Sequence, residues 1–186
     1  IKNDYLTSSI NEENMGFVYT LSKLLKIREK SFLKAMKSFK GLSHRFEIFL
    51  QKENIKFIND SKATSFTASE SALRSLKNVY WILGGLPKRN DKLKLKKIKK
   101  NITKCYLIGK NINFFKKQIE GKVSFSISKT LKNAINQIVK DHEFYKKKKC
   151  YILLSPAAAS FDQFKNFEIR GTEFKKLCKT YARKFI

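Results

Sequence analysis

"VYWILGG", residues 79–85, is a short apolar run rich in β-branched and aromatic side chains and closed by two glycines. It is too short for a core helix and reads as a strand buried on both faces. The glycines let the backbone approach a ligand or a neighbouring segment closely. Working outward, the same kind of run recurs at "CYLIG" (105–109), 122–127 and "CYILLS" (150–155). Upstream, 46–50 and 55–59 read as two strands of a hairpin joined by the polar turn "QKEN". Helices are predicted over 67–76, 91–100, 111–119, 128–141 and 163–183. Short strands alternating with helices predict an α/β fold, a mostly parallel sheet with helices on both faces and right-handed crossovers. The first forty residues predict two further helices. Met15, Val18, Leu21, Leu24 and Leu25 form one apolar face, and Ser31 is the expected N-cap of a second helix ended by Gly41.

In such sheets ligands gather at the carboxyl ends of the strands. Residues 60–64, 84–91 and 155–167 all follow strand ends and can share one edge. In "NDSKATS" (59–65), Asp60, Lys62 and Thr64 fall on alternate positions and share a face if the strand geometry continues. A carboxylate suits a ribose diol, lysine suits a phosphate or carboxylate, and threonine adds a short donor. The plainer reading is a polar loop in which Thr64 or Ser65 caps the next helix, with Thr67 and Glu70 as a capping box. "LGGLPKRND" (83–91) offers Lys88 as an anion ligand, but it is neither a phosphate-binding P-loop nor a dinucleotide fingerprint. In "SPAAASFDQFKNF" (155–167), Asp162 is expected to cap a helix N-terminus, a ready anion site beside Ser160. Arg45, in "GLSHRFE" (41–47), stands at the junction of the helical pair and the sheet, where its planar fork can reach a phosphate or form a salt bridge. The residues alone therefore predict a site for a small anionic ligand, and they name no reaction.

The composition sets the remaining bounds. The 186 residues fit one domain, or one domain plus part of another, and the chain opens on Ile, as expected for a piece of a longer protein. Hydrophobic residues at 42%, including 16 Phe, suffice for a core. No apolar run approaches the ~18 residues of a membrane span, no signal peptide is apparent, and the three widely spaced cysteines read as reduced cytosolic thiols. The net charge of +26 favours anionic partners, nucleic acid among them. Of the 41 basic residues only six are Arg, and the Lys excess accompanies abundant Ile, Asn and Phe, all with AT-rich codons. Lys96, Lys97, Lys99 and Lys100, and the run Lys146–Lys149, read as solvated faces, so a basic nucleic-acid-binding α/β domain is the minority reading.

"GLSHRFE", "NDSKAT", "LGG" with Lys88, and "SPAAASFDQFKNFEIRGTEF" occur in an order and spacing that resemble the Mur ligase family, and within it the D-glutamate-adding ligases. The resemblance covers essentially the whole chain. It implies a Rossmann-like C-terminal domain at 44–186, preceded at 1–43 by the helical end of the central ATPase domain. It implies ATP-dependent joining of D-glutamate to UDP-N-acetylmuramoyl-L-alanine through an acyl phosphate, in the bacterial cytoplasm, by a full-length monomer without a membrane partner. Lys62 and Lys88 would be catalytic. Thr64, Lys88, Ser160, Phe161 and Phe167 would bind D-glutamate, and Asn14, Arg45 and Asp60 would bind the nucleotide. The ligands of Mg²⁺ are expected upstream of residue 1. Where the family has Gly-x-His-Asn, this chain reads Ser8-Ser9-Ile10-Asn11, and after "NDSKAT" Ser65 replaces the usual Asn. A sister ligase using another amino acid is the remaining alternative.

Overall fold

The computed structural model describes residue 3, residue 6, residues 12–143 and residues 149–185. Ser8 to Asn11 and Lys146 to Lys148 lie outside the described residues. The chain divides into two compact units, 1–42 and 43–186.

The first unit holds α1 (Glu12–Leu24) and α2 (Glu29–Ser38). Tyr19 meets Phe32 edge-on at 5.7 Å, and the Asn3 amide donates to the carbonyls of Met36 and Phe39. The predicted apolar face of α1 is present, but Val18, Leu21, Leu24 and Leu25 are exposed among the described residues. The second helix starts earlier than expected. Arg28, not Ser31, occupies its N-cap, without a side-chain bond, and it stops at Ser38 before Gly41 is reached.

In the second unit the strands are β1 (Glu47–Lys52), β2 (Ile55–Asn59), β3 (Val79–Gly84), β4 (Ile102–Ile108), β5 (Phe125–Lys129) and β6 (Cys150–Leu154). They form one sheet in the order β1-β2-β6-β3-β4-β5, parallel except for the antiparallel edge strand β1. The chain runs from β2 to β3, β4 and β5, then returns to insert β6 between β2 and β3. In open α/β sheets such a reversal of direction marks the carboxyl ends of the strands, here β2, β6 and β3, as the place to look for a ligand site.

Helices α3 (Phe66–Arg74), α4 (Ile112–Ile119), α5 (Leu131–Glu143) and α6 (Phe167–Phe185) cover the sheet. One face packs Phe57, Tyr80, Ile82, Tyr106 and Ile152 against Ile135 and Ile138 of α5 and Phe174 and Cys178 of α6. On the other face Phe66 of α3 lies 6.1 Å from Phe114 and 5.9 Å from Phe115 of α4. A side chain on Gly171 of α6 would collide with the His44 ring, so glycine is what lets this helix sit close to the strand end.

Several boundaries differ from expectation, each for a local reason. Residues 91–100 form no α-helix, only 3₁₀ turns at Leu95–Lys97 and Lys99–Asn101. The amides of Leu93 and Lys94 donate to Gln118 Oε1 and Glu70 Oε1, which fix this segment against α4 and α3. Glu70 therefore makes no capping box with Thr67, and Ser65 caps α3 by accepting from Ala68 N–H. Strand β5 starts at Phe125 rather than 122 because the chain unwinds from α4 through Gly121, with Val123 N–H still bonded to Ile119. Helix α6 starts at Phe167 rather than 163, and Asn166 Oδ1 accepts from Ile169 N–H at its first turn. Asp162 caps no helix, and its carboxylate accepts from Lys110 N–H.

Candidate functional site

Three loops, following β2, β3 and β6, meet at the carboxyl edge of the sheet. The strand geometry of β2 stops at Asn59, so Asp60, Lys62 and Thr64 do not share a face as alternation predicted. Asp60 turns inward and is 8% exposed, Lys62 is exposed, and Thr64 is half-buried. One Asp60 oxygen accepts from Phe46 N–H at 3.1 Å and the other from the Ser155 hydroxyl at 2.8 Å. Asp60 thus ties the loop after β2 to the "SHRF" segment and to the end of β6. Burial pushes its carboxyl up to about 6, against the opposing pull of Ser155, Phe46 N–H and Arg45.

Arg45 is exposed and lies between two left-handed residues, His44 at φ 62° and Phe46 at φ 45°. Such backbone is costly for a bulky residue, and here it is held by bonds on both sides. Glu47 accepts from His44 N–H, and Asp60 accepts from Phe46 N–H. Burial, and then Lys175, pull the His44 imidazole below its ordinary value, favouring the neutral ring beside Asn59. At Glu47 burial pushes upward, but the His44 N–H bond and Lys175 outweigh it and hold the carboxyl low.

Phe167, the first residue of α6, stands between two of these groups. Its ring lies 5.5 Å from Lys62 Nζ, a cation–π arrangement, and 6.1 Å edge-on from His44. Ser160 is buried, and its carbonyl accepts from the amides of Gln163 and Phe164, while Phe161 is 69% exposed. Lys88 is exposed on the loop after β3. That loop is zipped to the loop after β6, since Leu86 and Ala159 exchange both backbone bonds and Gly84 N–H reaches Pro156 O. Among the described residues, Lys62, Lys88 and Arg45 form no ion pair within 4.0 Å. Asn14 is exposed on α1 in the first unit.

One brace holds the edge together. Arg170 of α6 is 1% exposed, and it donates from Nε to Ser61 Oγ (2.9 Å) and from Nη2 to Ser61 O (2.8 Å) and Ala158 O (3.0 Å). Burial draws the guanidinium down to about 10, with Asp162 opposing, so it stays charged. The three thiols are buried and held protonated, Cys150 being pushed up to about 11 by burial. Nucleophilic cysteine chemistry has no place here. Among the described residues no cluster of three His, Cys, Asp or Glu could hold a metal.

No protein-family model matches the chain. Curated relatives do, and each of the following is named UDP-N-acetylmuramoylalanine–D-glutamate ligase. The Nitrobacter winogradskyi protein is 44% identical over 142 residues, 76% of this chain and 30% of the relative. The Wolbachia (Brugia malayi) protein is 40% identical over 167 residues, 90% of this chain and 33% of the relative. The Rickettsia felis protein is 35% identical over 180 residues, 97% of this chain and 40% of the relative. The chain belongs to this ligase family. It spans 30–40% of the length of these relatives. Among solved structures, MurF from Acinetobacter baumannii superposes with a TM-score of 0.56 at 14% identity, over 88% of this chain and 35% of that one, a likeness of fold.

For a member of this family, the sequence picked out the exposed Arg45, Lys62, Lys88 and Phe161 together with the buried Asp60 and Ser160, and it missed Arg170, Ser61 and Ser155, which brace the loops. Arg170 had a readable signal, since Phe167, Arg170, Phe174 and Cys178 fall at helical spacing and three of the four are apolar. An arginine on that stripe has to be partnered inside the protein. Ala157 carries another constraint of this ligase edge, being fully buried with φ 56°. Left-handed backbone costs an L-residue about 1–2 kcal/mol, and more when Cβ is branched. Ala157→Val should destabilise by ~2 kcal/mol or more, whereas Ala157→Gly should stay within ~1 kcal/mol of wild type. Urea unfolding of the two variants checks this, and equal midpoints would contradict it.

Proposed function

We propose that this chain is the C-terminal part of an ATP-dependent ligase that joins D-glutamate to UDP-N-acetylmuramoyl-L-alanine in peptidoglycan precursor synthesis. The observation that carries this reading is the 35–44% identity to ligases of that name across 76–97% of the chain. The gathering of Arg45, Lys62 and Lys88, without ion-pair partners among the described residues, at one sheet edge supports it chemically.

In the proposed reaction the L-alanyl carboxylate attacks the γ-phosphorus of ATP, giving an acyl phosphate and ADP. The amine of D-glutamate then attacks the acyl carbon, phosphate leaves, and the amine loses a proton as the amide forms. Lys62 and Lys88 neutralise the phosphoryl and carboxylate charge. Thr64, Ser160, Phe161 and Phe167 shape the D-glutamate pocket, and the Lys62–Phe167 contact joins the two groups. Arg45 fits the nucleotide phosphates, being exposed and fixed at its base from both sides. Asp60 fits the ribose through the lone pairs left after two bonds. Asn14 lies near the adenine.

Residues 1–43 are the end of the central ATPase domain and 44–186 the C-terminal domain. The exposed apolar row of α1, with Phe17 71% and Leu24 75% exposed, fits a face that an upstream part of the protein covers. The Mg²⁺ ligands also lie upstream, where the metal neutralises the transferred phosphoryl group. No described helix is long and apolar enough to cross a membrane. The test is ADP release by the full-length protein with ATP and UDP-N-acetylmuramoyl-L-alanine. Release that depends on D-glutamate is expected. Turnover with another amino acid instead would move the protein to a sister ligase, and no turnover with any would sink the reading.

A further inference from the structure

The loop carrying Lys88 is placed by a single residue that sequence reading passed over. Asp91 is the meeting point of three bonds. Its N–H donates to Lys88 O at 3.3 Å, closing the turn through Arg89 and Asn90. Its carboxylate accepts from Phe66 N–H at 2.8 Å, and its carbonyl accepts from Gln118 Nε2 at 3.1 Å. Phe66 is the first residue of α3, two positions after Thr64. Amides in the first turn of a helix lack intrahelical partners, and a carboxylate there is stabilised by the helix dipole. Ser65 serves Ala68 N–H locally. The Phe66 amide is served from 25 residues away.

The consequence reaches the site. On its upstream side Lys88 is held by the Leu86–Ala159 bridge and on its downstream side by Asp91. The lysine side chain is exposed, so the position of its backbone decides where its charge falls. We infer that Asp91 is a positioning residue that couples Lys88 to Thr64, so that the cation and the hydroxyl are presented to the D-glutamate end of the site in a fixed relation. The inference rests on the proposed function only for the identity of that ligand.

The experiment uses the full-length protein with Asp91→Ala, Asp91→Asn, Lys88→Ala and the double variant Asp91→Ala/Lys88→Ala. Asp91→Ala should raise KM for D-glutamate about tenfold, with KM for ATP within about twofold of wild type. Asp91→Asn, whose side-chain oxygen still accepts from Phe66 N–H, should recover most of the loss. In the Lys88→Ala background, Asp91→Ala should add nothing further. Additive effects in the double variant, an unchanged KM for D-glutamate, or failure of Asp91→Asn to rescue would each overturn the inference. Amide hydrogen exchange at Phe66 and across residues 86–91 provides a readout independent of turnover. Exchange there should speed up in Asp91→Ala and stay near wild type in Asp91→Asn, and unchanged exchange in Asp91→Ala would also overturn the coupling. If wild type shows no D-glutamate turnover while exchange responds as expected, the function is misread and the clamp stands.

Discussion

Replacing Arg170 with alanine should destabilise the protein by about 3–5 kcal/mol, since each buried acceptor left without its charged donor costs ~1–3 kcal/mol. Three bonds to Ser61 Oγ, Ser61 O and Ala158 O are lost together. The Ser61 and Ala158 carbonyls left behind are buried and lose the guanidinium as a donor. Each kcal/mol moves Tm by roughly 2–4 °C in a chain of this size, so a fall of roughly 6–20 °C is expected. Arg170→Lys should recover only part, because one ammonium cannot span Ser61 and Ala158 in the fork geometry of arginine. The loops that Arg170 ties carry Lys62 on one side and Ser160 on the other, so the proposed D-glutamate affinity should fall even in Arg170→Lys, where the fold survives. Thermal unfolding by circular dichroism checks the loss of stability. A shift of only a degree or two in Arg170→Ala would mean that the brace is not bearing strain between the loops.

Asp60 should make stability fall as pH rises between about 4 and 6. Burial raises its carboxyl from 3.8 to about 6. A folded-state value above the unfolded one means that the fold prefers the protonated form. The favourable contribution is therefore complete below the unfolded value and lost as pH climbs through the folded value. A rise of that size corresponds to ~3 kcal/mol across the window. Glu47 acts in the opposite sense, since its lowered carboxyl contributes stability that is lost as pH falls. The readable quantity is thus the difference between wild type and Asp60→Asn. The asparagine side chain cannot ionise, so the stability of Asp60→Asn relative to wild type should rise by ~2–3 kcal/mol from pH 4 to pH 7. Parallel pH profiles of the two proteins, from urea unfolding, would refute the burial of an ionising Asp60.

The strand–helix alternation was legible because each strand here is buried on both faces and so must be a short apolar run. "VYWILGG" and "CYILLS" carry that signature without help from distant residues. The three loops at the carboxyl edge with Lys62, Lys88 and Ser160, and Arg45 before β1 and Phe167 at the start of α6, followed from the same alternation and from motif resemblance. What the sequence misjudged was decided by side chains arriving from far along the chain. Residues 91–100 have helical apolar spacing, yet they form only 3₁₀ turns, with Leu93 and Lys94 bonded to the distant side chains of Gln118 and Glu70. Asp162 sits where a cap belongs by sequence, yet the Lys110 amide claims it. Alternation put Asp60 on one face with Lys62 and Thr64, and the end of β2 turned it inward toward Phe46 and Ser155.

By itself, the sequence determined the class of fold, the sheet edge at which the three loops meet and the ligase family to which the chain belongs. Periodicity and motif order are local or ordered along the chain, and they survive without coordinates. The tertiary structure alone decided which polar groups face outward and which are spent on holding the loops. That choice depends on hydrogen-bond partners separated by 14 to 109 residues, and spacing along a chain does not encode which of those distant groups will meet.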